Sequence, residues 1–210
     1  MIDLYTWATP NGRKISIALE ELGLPYTVNV IDITQGHQHE PEFSLISPNR
    51  KIPVIVDHET GTGLMESGAI LLYLAEKTGK LIPADKALYW ETVQWIMWQM
   101  AGQGPMLGQV HHFVLFNKGK SEYAEERYLK EGMRLYGVLD QQLADRPYII
   151  GDEYTIADIA AWPWASRFEY QTIDLNDFPN VRDWYLRIAQ RPAVQKGYGI
   201  PIPEAVPMPA

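Results

Sequence analysis

The chain contains no cysteine. That excludes a disulfide scaffold, a CxxC redox site, a cysteine nucleophile and a thiolate metal site, so any thiol chemistry must use a thiol brought by a ligand. No run approaches the roughly 18 apolar residues that a membrane span needs, and the N-terminus reads as a strand, not as a charged, apolar, cleavable leader. A cytoplasmic protein with no membrane partner is expected. Basic residues are outnumbered, 18 Lys and Arg against 26 Asp and Glu for a formal charge of −8, which argues against a nucleic-acid partner. Histidines are sparse and poorly placed for a metal. His111 and His112 are adjacent and on a helix point about 100° apart, while His37 and His39 lack an evident third ligand, so no metal site is expected.

What is present is enough for a full core: 210 residues, 46% of them hydrophobic. Residues 2–7 and 26–31 read as strands, 11–22 as a helix and 40–46 as a short helix. Residues 52–57 form another strand, 58–63 carry turn residues, and 66–77 return to helical spacing. This order, βαβαββα, predicts a small mixed sheet with helices on its faces over residues 1–80. After Thr78-Gly79-Lys80 the strand signal ends. Residues 87–99, 124–143, 155–167 and 181–189 read as helices rich in Leu, Trp and Tyr, so residues 86–210 are predicted to be all-helical. The final eleven residues hold four prolines, which predicts an extended tail, packed on the surface or disordered. Trp90, Trp95, Trp98, Trp162 and Trp164 read mostly as packing residues. Glu20-Glu21 and Glu125-Glu126 read as solvated helix faces.

Three junctions carry chemistry. At Thr9-Pro10-Asn11-Gly12 a strand passes into a helix with Thr9 as N-cap and Pro10 as the first helical residue, which points free N–H groups at an anion. At Asn49-Arg50-Lys51-Ile52-Pro53 a proline opens a strand. A cis Ile52-Pro53 bond there would turn the Ile52 backbone outward toward an extended peptide; a proline that merely ends a loop is an equal reading. At Glu66-Ser67 a second helix begins. Ser67 offers a hydroxyl and an N–H to a carboxylate and Glu66 a carboxylate to an ammonium, a pair suited to a zwitterion, although ordinary capping would use the same residues.

Together, within about 70 residues, these junctions resemble the N-terminal half of a glutathione transferase, a thioredoxin-like fold, and the helical second half supports the likeness. Thr155-Ile156-Ala157-Asp158 resembles the capping motif of that family's core helix, a structural element. The segments Thr9-Pro10-Asn11-Gly12, 43–53, 66–79, Gly104-Pro105-Met106-Leu107-Gly108-Gln109, His111-His112-Phe113 and Glu126-Arg127-Tyr128 are similar to bacterial Nu-class glutathione transferases, kin of the fungal nitrogen-regulator fold. The resemblance reaches to about residue 192.

That resemblance implies a homodimer that binds two glutathiones, or one glutathione disulfide, per site and reduces disulfides without a protein cysteine. It places Thr9 and Asn11 around the glutathione sulfur, where their donors and the helix start favour thiolate over thiol. Gln38 would reach the glycyl carboxylate with help from Lys51. Ile52 and Pro53 would clamp the cysteinyl portion, and Glu66 and Ser67 the γ-glutamyl end. Arg127 would contact the second glutathione across a dimer interface; on the helix alone it reads as the partner of Glu131, four residues on. Trp7 would border the second-substrate pocket, one of His111 and His112 would line it while the other packs or faces solvent, and Met106 reads as core filling or as part of that pocket. Two other activities stay open: conjugation or peroxide reduction on an electrophile or organic hydroperoxide, and glutathione binding by a regulator without catalysis.

Overall fold

Four short strands, β1 (Ile2–Thr6), β2 (Tyr26–Val30), β3 (Val54–Asp57) and β4 (Thr62–Met65), form one sheet in the order β2-β1-β3-β4. β2 runs parallel to β1 through a helical crossover, and β3 and β4 are antiparallel to their neighbours. The register Tyr5↔Val54↔Met65 brings the end of β1, the start of β3 and the end of β4 to one edge of the sheet. All three chemical junctions therefore meet there. The computed structural model describes residues 1–209.

The crossover helix α1 (Pro10–Leu22) begins as its sequence dictates. Thr9 is extended, its Oγ1 accepts from Gly12 N at 3.2 Å, and Pro10 takes the first turn. It stops at Gly23, whose φ of 66° lets its N–H return to the last carbonyls. Ile15, Ile17, Ala18 and Leu19 of α1 join Leu4, Val54, Ile55, Ile70, Leu71 and Leu74 in a core at most 1% exposed. The short α2 (Pro41–Ile46) and α3 (Ser67–Thr78) complete this part, with α3 packed on α1.

Residues 1–80 form one compact unit together with 189–206; residues 81–188 and those from Pro207 form the other. The return of 189–206 to the first unit differs from the sequence expectation, which left them with the helices. The cause is α9 (Pro192–Tyr198), a helix the sequence reading missed. Gly197 admits it onto α1 so closely that a Cβ there would lie 2.7 Å from Ile17 Cα, and Ser16 Oγ donates to Gly197 O at 2.7 Å. Glu20 and Glu21 are thus not solvated. Arg191 grips Glu21 with two hydrogen bonds, and Lys196 reaches Glu20 at 2.8 Å. Beyond α9, residues 203–209 have no regular structure, and residues 202–205 are exposed. Glu204 pairs with the fully buried Arg13 of α1, whose guanidinium lies 3.7 Å from the Tyr198 ring centroid.

The second unit contains α4 (Lys86–Trp98), α5 (Gly104–Val110), α6 (Glu122–Gln142), α7 (Ile156–Ala165) and most of α8 (Pro179–Ala189). Wider π-helical turns at 99–103 and 111–116 flank α5, and beyond Gln99 this stretch was not among the expected helices. Its glycines hid the periodicity. A Cβ on Gly104 would meet Gln99 Nε2 at 2.9 Å, so the residue serves close approach. The α7 start is a full capping box: Thr155 Oγ1 accepts from Ala157 N at 3.2 Å and Asp158 takes Thr155 N at 2.9 Å. Trp95, Trp162 and Trp164 are buried as expected, whereas Trp90 is 65% exposed. Among the described residues no helix is long and apolar enough to cross a membrane.

Candidate active site

At the shared sheet edge a hollow of about 170 Å³ is lined by Asn11, Ser47, Asn49, Lys51, Ile52, Pro53, Met65, Glu66 and Ser67. Six residues singled out in the sequence, Asn11, Lys51, Ile52, Pro53, Glu66 and Ser67, converge on it. The loop before β3 is pinned by Ser47, whose hydroxyl donates to Lys51 O at 2.9 Å and accepts from Lys51 N at 3.2 Å. Both bonds hold the Lys51 backbone, so the neighbouring Ile52 is presented in a fixed orientation. The Ile52-Pro53 bond is cis.

At the start of α3, Glu66 is not an ordinary cap. Its φ of 73° and ψ of 111° are rare for a residue with a side chain, and it makes no capping bond. Such a backbone costs about 1–3 kcal/mol and concentrates at functional sites. Glu66 is exposed while Ser67 is 5% exposed, so the carboxylate stands at the rim and the hydroxyl at the floor.

A residue the sequence reading missed completes the site. Lys14, one turn into α1, is 1% exposed, and its ammonium donates to Asn11 Oδ1 at 2.8 Å and to Ser67 Oγ at 3.3 Å. Because an ammonium can only donate, the atom facing it must be the Asn11 carbonyl, and the amide's donor nitrogen lies on the opposite side. Burial pushes the Lys14 pKa well below its usual value, and the Glu66 carboxylate pulls it back. Thr9, its hydroxyl oxygen already accepting from Gly12, keeps its proton for donation. A site so built suits a sulfur anion at Asn11 and the α1 N-terminus, with a carboxylate at Ser67.

Other expected residues lie apart. Gln38 sits in a 3-10 turn at 37–39, its Nε2 3.3 Å from His39 Nε2, and does not line the hollow. Arg127, in the second unit, lines a separate cavity of about 620 Å³ with Met106, Tyr123, Tyr128, Lys130 and Arg134 among others. It does not pair with Glu131, because Arg134 takes that carboxylate with two hydrogen bonds of 2.8 and 2.7 Å. Trp7 is half-buried in the first unit, and His112 is exposed in the second.

His111 is the packed member of the pair, 9% exposed against Trp164, Tyr170 and Phe116. Gln171 fixes its state: Oε1 accepts from Tyr136 and Nε2 donates to Trp164 O, so the 3.3 Å contact to His111 Nε2 needs an acceptor on the imidazole. Burial, then the nearby Arg167 charge, push its pKa down to about 4. The unfolded imidazole titrates near 6.5, so its contribution to stability is present above that pH and lost as pH falls toward 4, up to about 3 kcal/mol. His111→Gln keeps an acceptor without the titration. Denaturant midpoints from pH 7 to 4 should show the parent losing stability relative to the variant, and parallel curves would refute this.

Residues 8–77 match the description "Glutathione S-transferase, N-terminal domain" and residues 101–192 match "Glutathione S-transferase, C-terminal domain". The chain belongs to the glutathione S-transferase family. Within the family it is 50% identical to disulfide-bond oxidoreductase YfcG of Escherichia coli over 198 residues, 92% of each chain. A glutathione transferase from Burkholderia graminis, solved with two glutathione molecules per subunit, aligns at a TM-score of 0.90 and 44% identity, covering 95% of this chain and 88% of that one. Another from Pseudomonas putida, solved with one glutathione disulfide per subunit, aligns at 0.90 and 42%, covering 95% and 91%. The thioredoxin-like sheet with a helical second part is the fold of this family. Among the described residues no group of three or more His, Asp and Glu is placed to hold a metal.

Proposed function

We propose that this glutathione transferase is a cytoplasmic, homodimeric disulfide-bond reductase of the Nu class that works through a bound glutathione thiolate. The observation that carries the reading is Asn11, an amide locked by its carbonyl at the positive end of α1 and lining a hollow in a chain without any thiol. Asn11 Nδ2 and the Thr9 hydroxyl donate to the glutathione sulfur and hold it ionised near neutral pH. Ser67 and the α3 N-terminus take the γ-glutamyl carboxylate, Glu66 its ammonium, the Ile52 backbone with Pro53 the cysteinyl unit, and Lys51, joined by Gln38, the glycyl carboxylate. The thiolate attacks one sulfur of a small disulfide, forming a mixed disulfide and releasing the other half as thiolate. A second glutathione thiolate then attacks the mixed disulfide, so two glutathiones become one glutathione disulfide and the substrate gains two electrons and two protons. Arg127 of the partner subunit holds the second glutathione.

Paired assays test this. Glutathione with hydroxyethyl disulfide should turn over far faster than glutathione with chlorodinitrobenzene. The reverse ranking would favour a conjugating enzyme, and tight glutathione disulfide binding with neither activity would mark a binding module. Arg127 is exposed, and among the described residues it makes no hydrogen bond or ion pair. Arg127→Ala should therefore weaken glutathione disulfide binding about 10- to 100-fold, the worth of a charged hydrogen bond, without moving the unfolding midpoint. Unchanged binding by calorimetry would remove Arg127 from the site.

A further inference from the structure

Lys14 is a costly residue to place where it is. A buried ammonium must recover its lost hydration through close partners, and a methylene-rich apolar side chain would fill the same space without that penalty. Two hydrogen-bond acceptors among the described residues are the informative feature. Asn11 lies three residues earlier on the same helix, and Ser67 lies at the start of a different helix, 53 residues away. Both line the hollow.

We infer that Lys14 is a positioning residue that couples the sulfur end of the glutathione site to its carboxylate end, an inference that rests on the reductase reading above. At the sulfur end the ammonium selects one of two amide orientations. With the Asn11 carbonyl held, the donor nitrogen is presented to the thiolate; without the ammonium, the orientation that sets the amide oxygen against a thiolate no longer has a cation opposing it. At the other end, Ser67 Oγ accepts from Lys14, so its own proton is directed away from the ammonium and toward an incoming carboxylate. One buried charge thus sets the direction of two donors, and Glu66 beside it is the carboxylate that balances it.

Lys14→Met keeps the length and the apolar stem but removes donors and charge. Lys14→Gln keeps donors without charge, and serves where the methionine variant does not fold. The direct readout is the ionisation of the bound glutathione thiol, followed by thiolate absorbance as pH is varied. Its pKa should rise by about one unit in Lys14→Met, a tenfold change in the thiolate equilibrium, and by less in Lys14→Gln. In hydroxyethyl disulfide reduction, kcat should fall by an order of magnitude. Most telling is the double variant: if Lys14 acts through the amide, Asn11→Ala with Lys14→Met should lose no more kcat than Asn11→Ala alone. Additive losses, or an unmoved thiol pKa in whichever variant folds, would overturn the inference. The titration needs no disulfide. A bound thiol that responds to Lys14 in a protein that reduces nothing would therefore sink the reductase reading and leave the role of Lys14 standing.

Discussion

Replacing Asn11 by alanine is expected to lower kcat for disulfide reduction about 10²- to 10³-fold, the usual loss when one preorganised donor to a reacting anion is removed. KM should change little, because the Lys51–Ile52 loop, Glu66 and Ser67 lie on other elements lining the same hollow. The loss falls on turnover because the donor is aligned before glutathione arrives: its carbonyl is fixed by Lys14 at 2.8 Å. A thiol with a pKa near 8.5 is only slightly ionised at pH 7, so every donor lost there removes nucleophile directly. Steady-state kinetics with hydroxyethyl disulfide, beside the denaturant midpoint of each protein, checks the expectation. A variant with unchanged kcat would show that the sulfur does not sit at Asn11.

Asp158→Ala is expected to carry the largest stability loss, about 3–5 kcal/mol out of a typical total of 5–15. The carboxylate is fully buried and takes four donors: Ile149 N, Thr155 N and Trp184 Nε1, each at 2.9 Å, and Thr155 Oγ1 at 3.3 Å. Alanine would leave all four in a space closed to solvent, and each unsatisfied buried donor costs about 1–3 kcal/mol before relaxation. Burial pushes the Asp158 carboxyl up to about 6 against the pull of those donors, so it is still ionised at pH 7. Asp158→Asn should do only slightly better, since its NH₂ would face donors. Urea unfolding at pH 7 measures both, and a midpoint shift worth under about 1 kcal/mol would remove the motif from its structural role.

What could be read in the sequence was local. Thr9, Pro10 and Gly12 define the α1 start by capping chemistry alone, and Thr155 with Asp158 define the α7 start in the same way. The order of elements along the chain followed from periodicity and turns, whereas the meeting of the three junctions at one edge rests on the strand order and register of the sheet. Long-range burial was hidden. Lys14 and Glu21 occupy positions on α1 that suit a solvated face, and partners far along the chain, Ser67 and Arg191 among them, draw the first into the interior and half-bury the second. The Arg127–Glu131 pairing failed because spacing permits it equally with Arg134, whose fork engages both carboxylate oxygens. The stretch 100–116 escaped because its glycines serve close approach and interrupt the hydrophobic repeat.

Arg13 follows directly on the residues that shape the sulfur site, yet its counter-charge, Glu204, belongs to the last part of the chain. Proteins are synthesised from the N-terminus, and domains generally fold as they emerge. Here the first unit is completed by residues 189–206, which follow the whole helical unit in the sequence. The helix that carries Asn11 therefore gains α9 and Glu204 as neighbours only after every helix of the second unit has been made, and a chain cut before residue 192 leaves Ile17 and Arg13 without them.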